Sequence, residues 1–133
     1  MGVFLSILLW VCGVPVNVNE RSECLTENRL MGFYSLEEKQ IFLCEKNIAS
    51  TKITHDEVIK HELVHFIHDS FDVETTIIPE PYFTFLVRNF MDDDEKLYVI
   101  MHGDDVGEEL ESRLISRMPV GALYAALLAA SIK

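Results

Sequence analysis

The sequence predicts a small α+β domain, and three patterns carry this prediction. Two strand-like runs, 32–34 and 40–44, flank a short polar turn. Thr54 and Glu57 form a T-x-x-E capping box before an apolar-periodic run, which is typical of the start of a helix. Further helices are expected toward the C-terminus. The 133 residues suit one domain with its own core, so a small mixed or antiparallel sheet is expected to pack on these helices.

The segments on either side of these strands and the capped helix have less regular patterns of apolar residues. The apolar segment 3–16 is expected to form a helix or strand that covers the core, and 17–31 reads as a polar connection. The capped helix should fade near 70–72. Pro79 and Pro81 then interrupt any helix, and the apolar segment that follows them, 82–90, fits either a helix or a strand.

The C-terminal part divides more clearly. We expect a solvated acidic loop over 91–96 and a short strand over 97–101. The segment 108–117 is a helix candidate, because its acids come first and its arginines later, which complements the helix dipole. Pro119 ends this helix, and 120–132 reads as an alanine-rich last helix.

The net charge of −11 restricts the partners of the chain. Such a chain repels nucleic-acid phosphates, so nucleic-acid binding is excluded, and it is not attracted to anionic membranes. Residues 3–16 resemble a signal-peptide core but lack a basic n-region and an A-x-A-like site, and they are too short to span a bilayer. The two apolar ends, 3–16 and 120–132, are instead candidate surfaces for a protein partner.

The three cysteines, Cys12, Cys24 and Cys44, show no C-x-x-C spacing. Their odd number argues against a disulfide framework and favours the cytoplasm or another reducing compartment. One bridge with one free thiol stays open as an alternative, as do secretion and a viral or virion origin.

The segment His61-Glu62-Leu63-Val64-His65 spells H-E-x-x-H. Residues four apart lie one above the other on a helix, so both imidazoles can reach one metal ion. Glu62 lies beside them and is the candidate catalytic base. This arrangement is typical of zinc hydrolases, in which two histidines hold the ion and the glutamate takes a proton from water.

A catalytic zinc needs a third protein ligand, and the sequence offers two sources. His68 shares a face with His61, but about 10 Å of helical rise separates them, and no glycine turn brings His68 back to the ion. His68 is expected instead to support the ligands from behind or to lie in the core. Among the downstream acids, Glu109 shares a face with two serines, Ser112 and Ser116, and is the first choice. Glu108 is the runner-up and Glu111 falls on another side.

Several of these motifs carry a resemblance to known families. The succession Gly32-Phe33, 40–44 (Q-I-F-L-C), Asn47 and 61–65 is similar to the mitochondrial ATP-synthase-subunit-processing metallopeptidases, which carry G-F, Q-I-x-L-C and H-E-h-x-H. The segment from Glu109 to Ser116, followed by Pro119, resembles the E-x-x-A-N-x-F-A … P helix of ImmA/IrrE-type metallopeptidases. Together they cover about half of the chain. Both resemblances imply a compact zincin-like fold with the downstream glutamate, here Glu109, as the third ligand.

The function implied is that of a zinc metallopeptidase, a hydrolase that cleaves a polypeptide substrate with zinc-activated water. One zinc ion would be held by His61, His65 and Glu109, with Glu62 as base. The oxyanion donor stays unassigned among three side chains that can donate, Tyr82, Tyr98 and His102. Strand 40–44 is either the edge along which an extended substrate adds as another strand or simply a core strand, and the sequence leaves both open. The alternative is a non-catalytic zinc-bearing interaction subunit of a larger assembly.

Overall fold

The computed structural model describes residues 1–132 and contains eight helices and three strands over this range. The helices are α1 (Val3–Cys12), α2 (Ser22–Thr26), α3 (Glu45–Ala49), α4 (His55–Ser70), α5 (Glu80–Phe90), α6 (Asp93–His102), α7 (Val106–Ser116) and α8 (Gly121–Ser131). The strands are β1 (Val16–Asn17), β2 (Gly32–Ser35) and β3 (Gln40–Leu43). The α+β class expected from the sequence is confirmed.

The three strands form one mixed sheet in the order β1-β3-β2. Strand β3 runs parallel to β1 and antiparallel to β2, and its Ile41, Phe42 and Leu43 are buried. Of the two possibilities for segment 40–44, the structure shows the core strand, and an edge that could bind substrate is wrong there because β3 is paired on both sides. The edge that lies next to α4 is β2.

Helix α4 is the central element of the fold. Its N-terminus is capped as the sequence predicts, since the Glu57 backbone N–H donates to Thr54 Oγ1 at 3.2 Å. An apolar stripe faces the sheet and α8 and is almost fully buried; it comprises Val58, Ile59, Leu63, Val64 and Ile67. Burial of this stripe fixes which side of α4 remains for the histidines.

Helix α7 packs along α4 through the small face that the sequence indicates. Ser112 and Ser116 are buried, and their hydroxyls donate to backbone carbonyls of α7 itself, at Glu108 and Arg113. Small, internally satisfied side chains let two helix backbones approach closely. This close approach sets the position of the glutamates of α7 relative to the histidines of α4.

The segment 91–101 differs from its expected loop and strand. Asp92 caps α6 by accepting from the Glu95 backbone N–H at 2.8 Å, and the acids that follow fill the first helical turn. The predicted strand 97–101 lies inside this helix, with Val99 buried against α7 residues. The acidic run is thus a helix start rather than a loop, because acids complement the positive end of the helix dipole. The undecided segment 82–90 is helical, within α5.

Helix α1 covers the core as expected, but only along one side. Leu5, Leu8 and Leu9 are buried, whereas Phe4 and Trp10 are 66% and 83% exposed. Within residues 1–132, no helix is both long enough and apolar enough to cross a membrane.

The cysteines form one bridge, between Cys24 and Cys44, and Cys12 has a free thiol. This is the alternative that the sequence left open, and it removes the main argument for a reducing compartment. The bridge ties α2 to the end of β3. Asn47 reinforces this link, because its amide donates to the carbonyls of Cys24, Glu27 and Leu30.

Candidate metal centre

Three side chains from two helices converge at one point. His61 and His65 lie one turn apart on α4, with their Nε2 atoms 3.3 Å apart. Glu109 of α7 reaches both: its Oε1 is 2.9 Å from His61 Nε2 and its Oε2 is 3.2 Å from His65 Nε2. All three side chains are partly buried. Within residues 1–132 this is the one group of histidine, cysteine and acidic side chains that is close enough to share a metal ion.

The spacing of these atoms fits a zinc ion. Ligands bound about 2.0–2.1 Å from a tetrahedral ion lie about 3.3 Å from one another. The two nitrogens are 3.3 Å apart, and they lie 2.9 and 3.2 Å from the two different oxygens of Glu109, so one atom from each residue is within 4.8 Å of the others. Two imidazole nitrogens and one carboxylate oxygen are also a donor set found in catalytic zinc sites. The residues present therefore fit the ion without rearrangement of the helices.

Glu62 lies beside this group without joining it. Its Oε2 is 3.9 Å from His61 Nε2, and the residue is only 8% exposed. Burial raises the pKa of Glu62, and the neighbouring His61 and His65 partly oppose this rise. The backbone N–H of Tyr34 on β2 also interacts with this carboxylate. Glu62 is thus a desolvated carboxylate next to a candidate ion, which is the environment of a general base.

Glu108 contacts the other nitrogen of His65. Its Oε2 lies 2.5 Å from His65 Nδ1, so the Nδ1–H donates to the carboxylate. In a neutral imidazole this leaves the lone pair on Nε2, the atom that faces Glu109. Glu108, the runner-up for third ligand, is therefore turned toward the outer nitrogen of a histidine rather than toward the centre. Carboxylate–histidine pairs of this kind orient metal ligands in other proteins.

His68 and Glu111 form a buried pair behind the candidate ligands. His68 Nε2–H donates to Glu111 Oε1 at 2.7 Å, and Nδ1 lies 3.3 Å from the Val73 carbonyl and 3.5 Å from Glu108 Oε1. Burial lowers the pKa of His68, but its bond to Glu111 and the nearby Glu108 carboxylate together outweigh this and the net pKa is raised. The Glu111 carboxylate, which is 0% exposed, also accepts from the backbone N–H groups of Ile77 and Ile78. Both residues thus brace the segment after α4 and are not ligand candidates, although His68 contacts Glu108 of the centre.

The electrostatics of the centre favour a bound cation. Burial disfavours a charged His65, but hydrogen bonds with Glu108 and Glu109 outweigh this and raise its pKa to about 10. Burial likewise raises the pKa of Glu109, yet its bonds with His61 and His65 reverse the effect and hold the pKa well below its usual range. Without a metal ion, a proton on His65 therefore offsets part of the negative charge of Glu108 and Glu109.

The edge of β2 borders the same site. The Cys44 N–H donates to the Met31 carbonyl. Because hydrogen-bonded and non-bonded residues alternate along an antiparallel pair, the backbone N–H and C=O of Phe33 point toward β3. The backbone groups of Gly32 and Tyr34 consequently face away from the sheet. Gly32 is required at the close approach to α4, because a Cβ there would lie 2.7 Å from both Val58 Cγ1 and the Phe42 carbonyl oxygen.

The centre opens into a cleft of about 1310 Å³. Two of the three candidate oxyanion donors, Tyr98 and His102, line this cleft. Their rings are stacked, with 4.4 Å between the ring centroids. The third, Tyr82, is exposed on α5 and is not part of the lining.

Sequence reasoning had no signal for the Tyr34 backbone N–H, since main-chain donors leave no mark on residue types. It also missed Arg113, which lies 3.4 Å from Glu109 and was detectable as an i, i+4 ion pair.

No protein-family model, curated protein or solved structure matches this chain.

Proposed function

We propose that this protein is a zinc-dependent metallopeptidase of the zincin-like class, with His61, His65 and Glu109 as the ligands. The single observation that carries the proposal is the convergence of these three side chains within zinc-ligand spacing. A buried carboxylate that could act as base adjoins them. Three protein ligands leave a coordination position for water, whereas structural zinc sites usually have four protein ligands.

The reaction assigns one task to each side chain. A zinc ion held at this centre would polarise a water molecule and lower its pKa toward neutrality. Glu62 accepts the proton of the attacking water and then delivers it to the leaving amine. Glu108 keeps the Nε2 lone pair of His65 directed at the centre through its bond with Nδ1. Tyr98 and His102 remain the candidates that could donate to the developing oxyanion.

The substrate is an extended polypeptide in this proposal. The outward-facing backbone groups of Gly32 and the carbonyl of Tyr34 can pair with such a chain, which would add to β2 as a further strand. The Tyr34 N–H is already directed at Glu62. The edge of β2 would therefore align the substrate next to the catalytic base.

A second candidate function is a zinc-bearing interaction subunit with no turnover. The observation that favours it is the exposed apolar side of α1, with Trp10 at 83% exposure. Such a surface is typical of a protein contact. Glu62 argues for the enzyme, because a purely structural site has no use for a buried carboxylate beside the ligands.

Zinc analysis and peptide cleavage separate these functions. The zinc-loaded wild type should cleave casein or a peptide library, and Glu62→Gln should retain zinc but lose the activity. If the wild type binds zinc stoichiometrically but leaves every substrate intact, the interaction subunit becomes the better account. If purified protein takes up no zinc, both accounts are wrong.

A further inference from the structure

The cleft in front of the candidate centre is strongly acidic. Its lining contains seven carboxylates and three arginines, and no lysine is among the described residues there. Four of these carboxylates lie outside the centre itself: Glu27, Glu57, Asp104 and Asp105. Even with a divalent cation bound, the lining would keep a net negative charge.

Two of the three arginines are held in ion pairs. Arg113 and Arg117 share the single carboxylate of Glu95 on α6, and Arg113 also contacts Glu109. These pairs orient both guanidinium groups toward acids of the protein, which weakens their attraction for an acidic substrate. Arg29, on the exposed loop before β2, is the remaining cation of the lining.

Three of the four acids outside the centre lie on the same two helices as the ligands, or next to them. Glu57 lies one turn before His61, on the same side of α4. Asp104 and Asp105 directly precede α7, which carries Glu109. Asp105 is engaged as the N-cap, since it accepts from the Glu108 N–H. Within residues 1–132, the carboxylates of Glu57 and Asp104 make no hydrogen bond or ion pair.

Two further features of the cleft point to a ligand. Glu62, with nine-tenths of its surface buried, lines the same cleft, and its carboxylate has the Tyr34 backbone N–H but no side chain of the described residues as a hydrogen-bond donor. The free backbone edge of β2 borders the cleft as well. A main-chain edge of this kind recognises extended polypeptides.

We propose that the cleft selects cationic polypeptide segments, with lysine or arginine side chains placed against Glu57 on one side of the scissile bond and Asp104 on the other. This inference rests on the proposed peptidase function and specifies its substrate class. A cleft lined by charge of one sign focuses its field and concentrates ligands of the opposite sign. It also repels acidic segments, because like charges brought together in a partly desolvated site are unfavourable.

The test compares three peptide pools that share a degenerate centre but are flanked on both sides by lysine, glutamine or glutamate. The zinc-loaded full chain should cleave the lysine pool at least about tenfold faster, in kcat/KM, than the glutamate pool. This ratio should fall as salt rises from about 0.05 to 0.5 M, because exposed charges are screened. Equal kcat/KM for the three pools would overturn the substrate class while leaving the peptidase proposal intact.

Variants locate the preference within the cleft. Glu57→Gln and Asp104→Asn should each reduce the lysine-to-glutamate ratio by about two- to fivefold. The matched controls are Glu74→Gln and Asp94→Asn, which alter exposed acids outside the cleft lining and should leave the ratio unchanged. A ratio that drops equally in variants and controls would mean that net charge, and not the cleft, makes the selection.

A binding measurement covers the case in which no pool is cleaved, which would count against the peptidase proposal itself. Fluorescence anisotropy of labelled lysine and glutamate peptides is measured on zinc-loaded Glu62→Gln protein. Tighter binding of the lysine peptide would support the selectivity of the cleft even without turnover. Equal binding would overturn it.

Discussion

Glu108 Oε2 lies 2.5 Å from His65 Nδ1, on the side of the imidazole opposite to the candidate ion. This contact fixes the ring orientation and leaves Nε2 available as a ligand. A carboxylate next in sequence to the proposed ligand Glu109 thus serves a different atom of the same centre.

Removing this contact should weaken zinc binding without unfolding the chain. Glu108→Ala is expected to lower zinc affinity by about 10- to 100-fold, measured by competition with a chromophoric chelator. Glu108→Gln keeps an oxygen acceptor for the Nδ1–H and should lose less. Circular dichroism checks the fold of both. Wild-type affinity in Glu108→Ala would show that His65 needs no orienting partner.

The two parts of the H-E-x-x-H motif should separate in their effects. His65→Ala removes a ligand and is expected to lose bound zinc, whereas Glu62→Gln keeps the ligands and should retain it. Metal content by elemental analysis of the purified proteins measures this difference. Stoichiometric zinc in His65→Ala would contradict the assignment of ligands.

Replacing Glu109 should affect zinc affinity, whereas replacing Glu111 should affect the stability of the fold. Glu109→Ala is expected to lose zinc affinity with its fold intact, because Glu109 faces His61 and His65. Glu111→Ala should instead cost about 3 kcal/mol of unfolding free energy or more, since it leaves His68 and two buried N–H groups without their acceptor. Urea unfolding and zinc titration of both variants measure the two effects. Equal zinc affinity in the two variants would remove Glu109 as third ligand.

Zinc binding should release protons, with a sign that follows from His65. In the metal-free protein the pKa of His65 is raised from 6.5 to about 10, so its protonated form stabilises the fold below pH 6.5 and this contribution is lost as pH rises through about 10. A metal ligand must be deprotonated, so at about pH 8 zinc should displace about one proton from His65. Calorimetry in buffers of different ionisation enthalpy measures the release. A binding enthalpy independent of the buffer would contradict it.

The disulfide should contribute to stability. Cys24→Ser with Cys44→Ser opens a link that spans 20 residues and should cost about 2–4 kcal/mol of unfolding free energy. Cys12→Ser, the matched control, removes the free thiol and should leave stability unchanged within about 0.5 kcal/mol. Chemical unfolding with and without reductant measures both. Insensitivity of the wild type to reductant would argue that the bridge contributes nothing.

Local patterns predicted the elements that depend on neighbouring residues. The capping box at Thr54, the four-residue spacing of the histidines and the hairpin around the turn at 35–39 are all short-range features, and each is present in the structure. The secondary structure of segment 97–101 could not be predicted from such short-range features. Its apolar run fits a strand or a helix, and the cap at Asp92 together with burial of Val99 against α7 makes it helical.

The sequence by itself determined that two imidazoles share one face of α4 with a carboxylate adjacent to them, because helical periodicity is a local property. Only the tertiary structure decided which of Glu108, Glu109 and Glu111 meets which histidine. That choice depends on how α7 is rotated about its axis, and close packing through its serines against α4 sets this rotation. The order of the strands and the pairing of Cys24 with Cys44 are likewise contacts between distant segments, which no local pattern encodes.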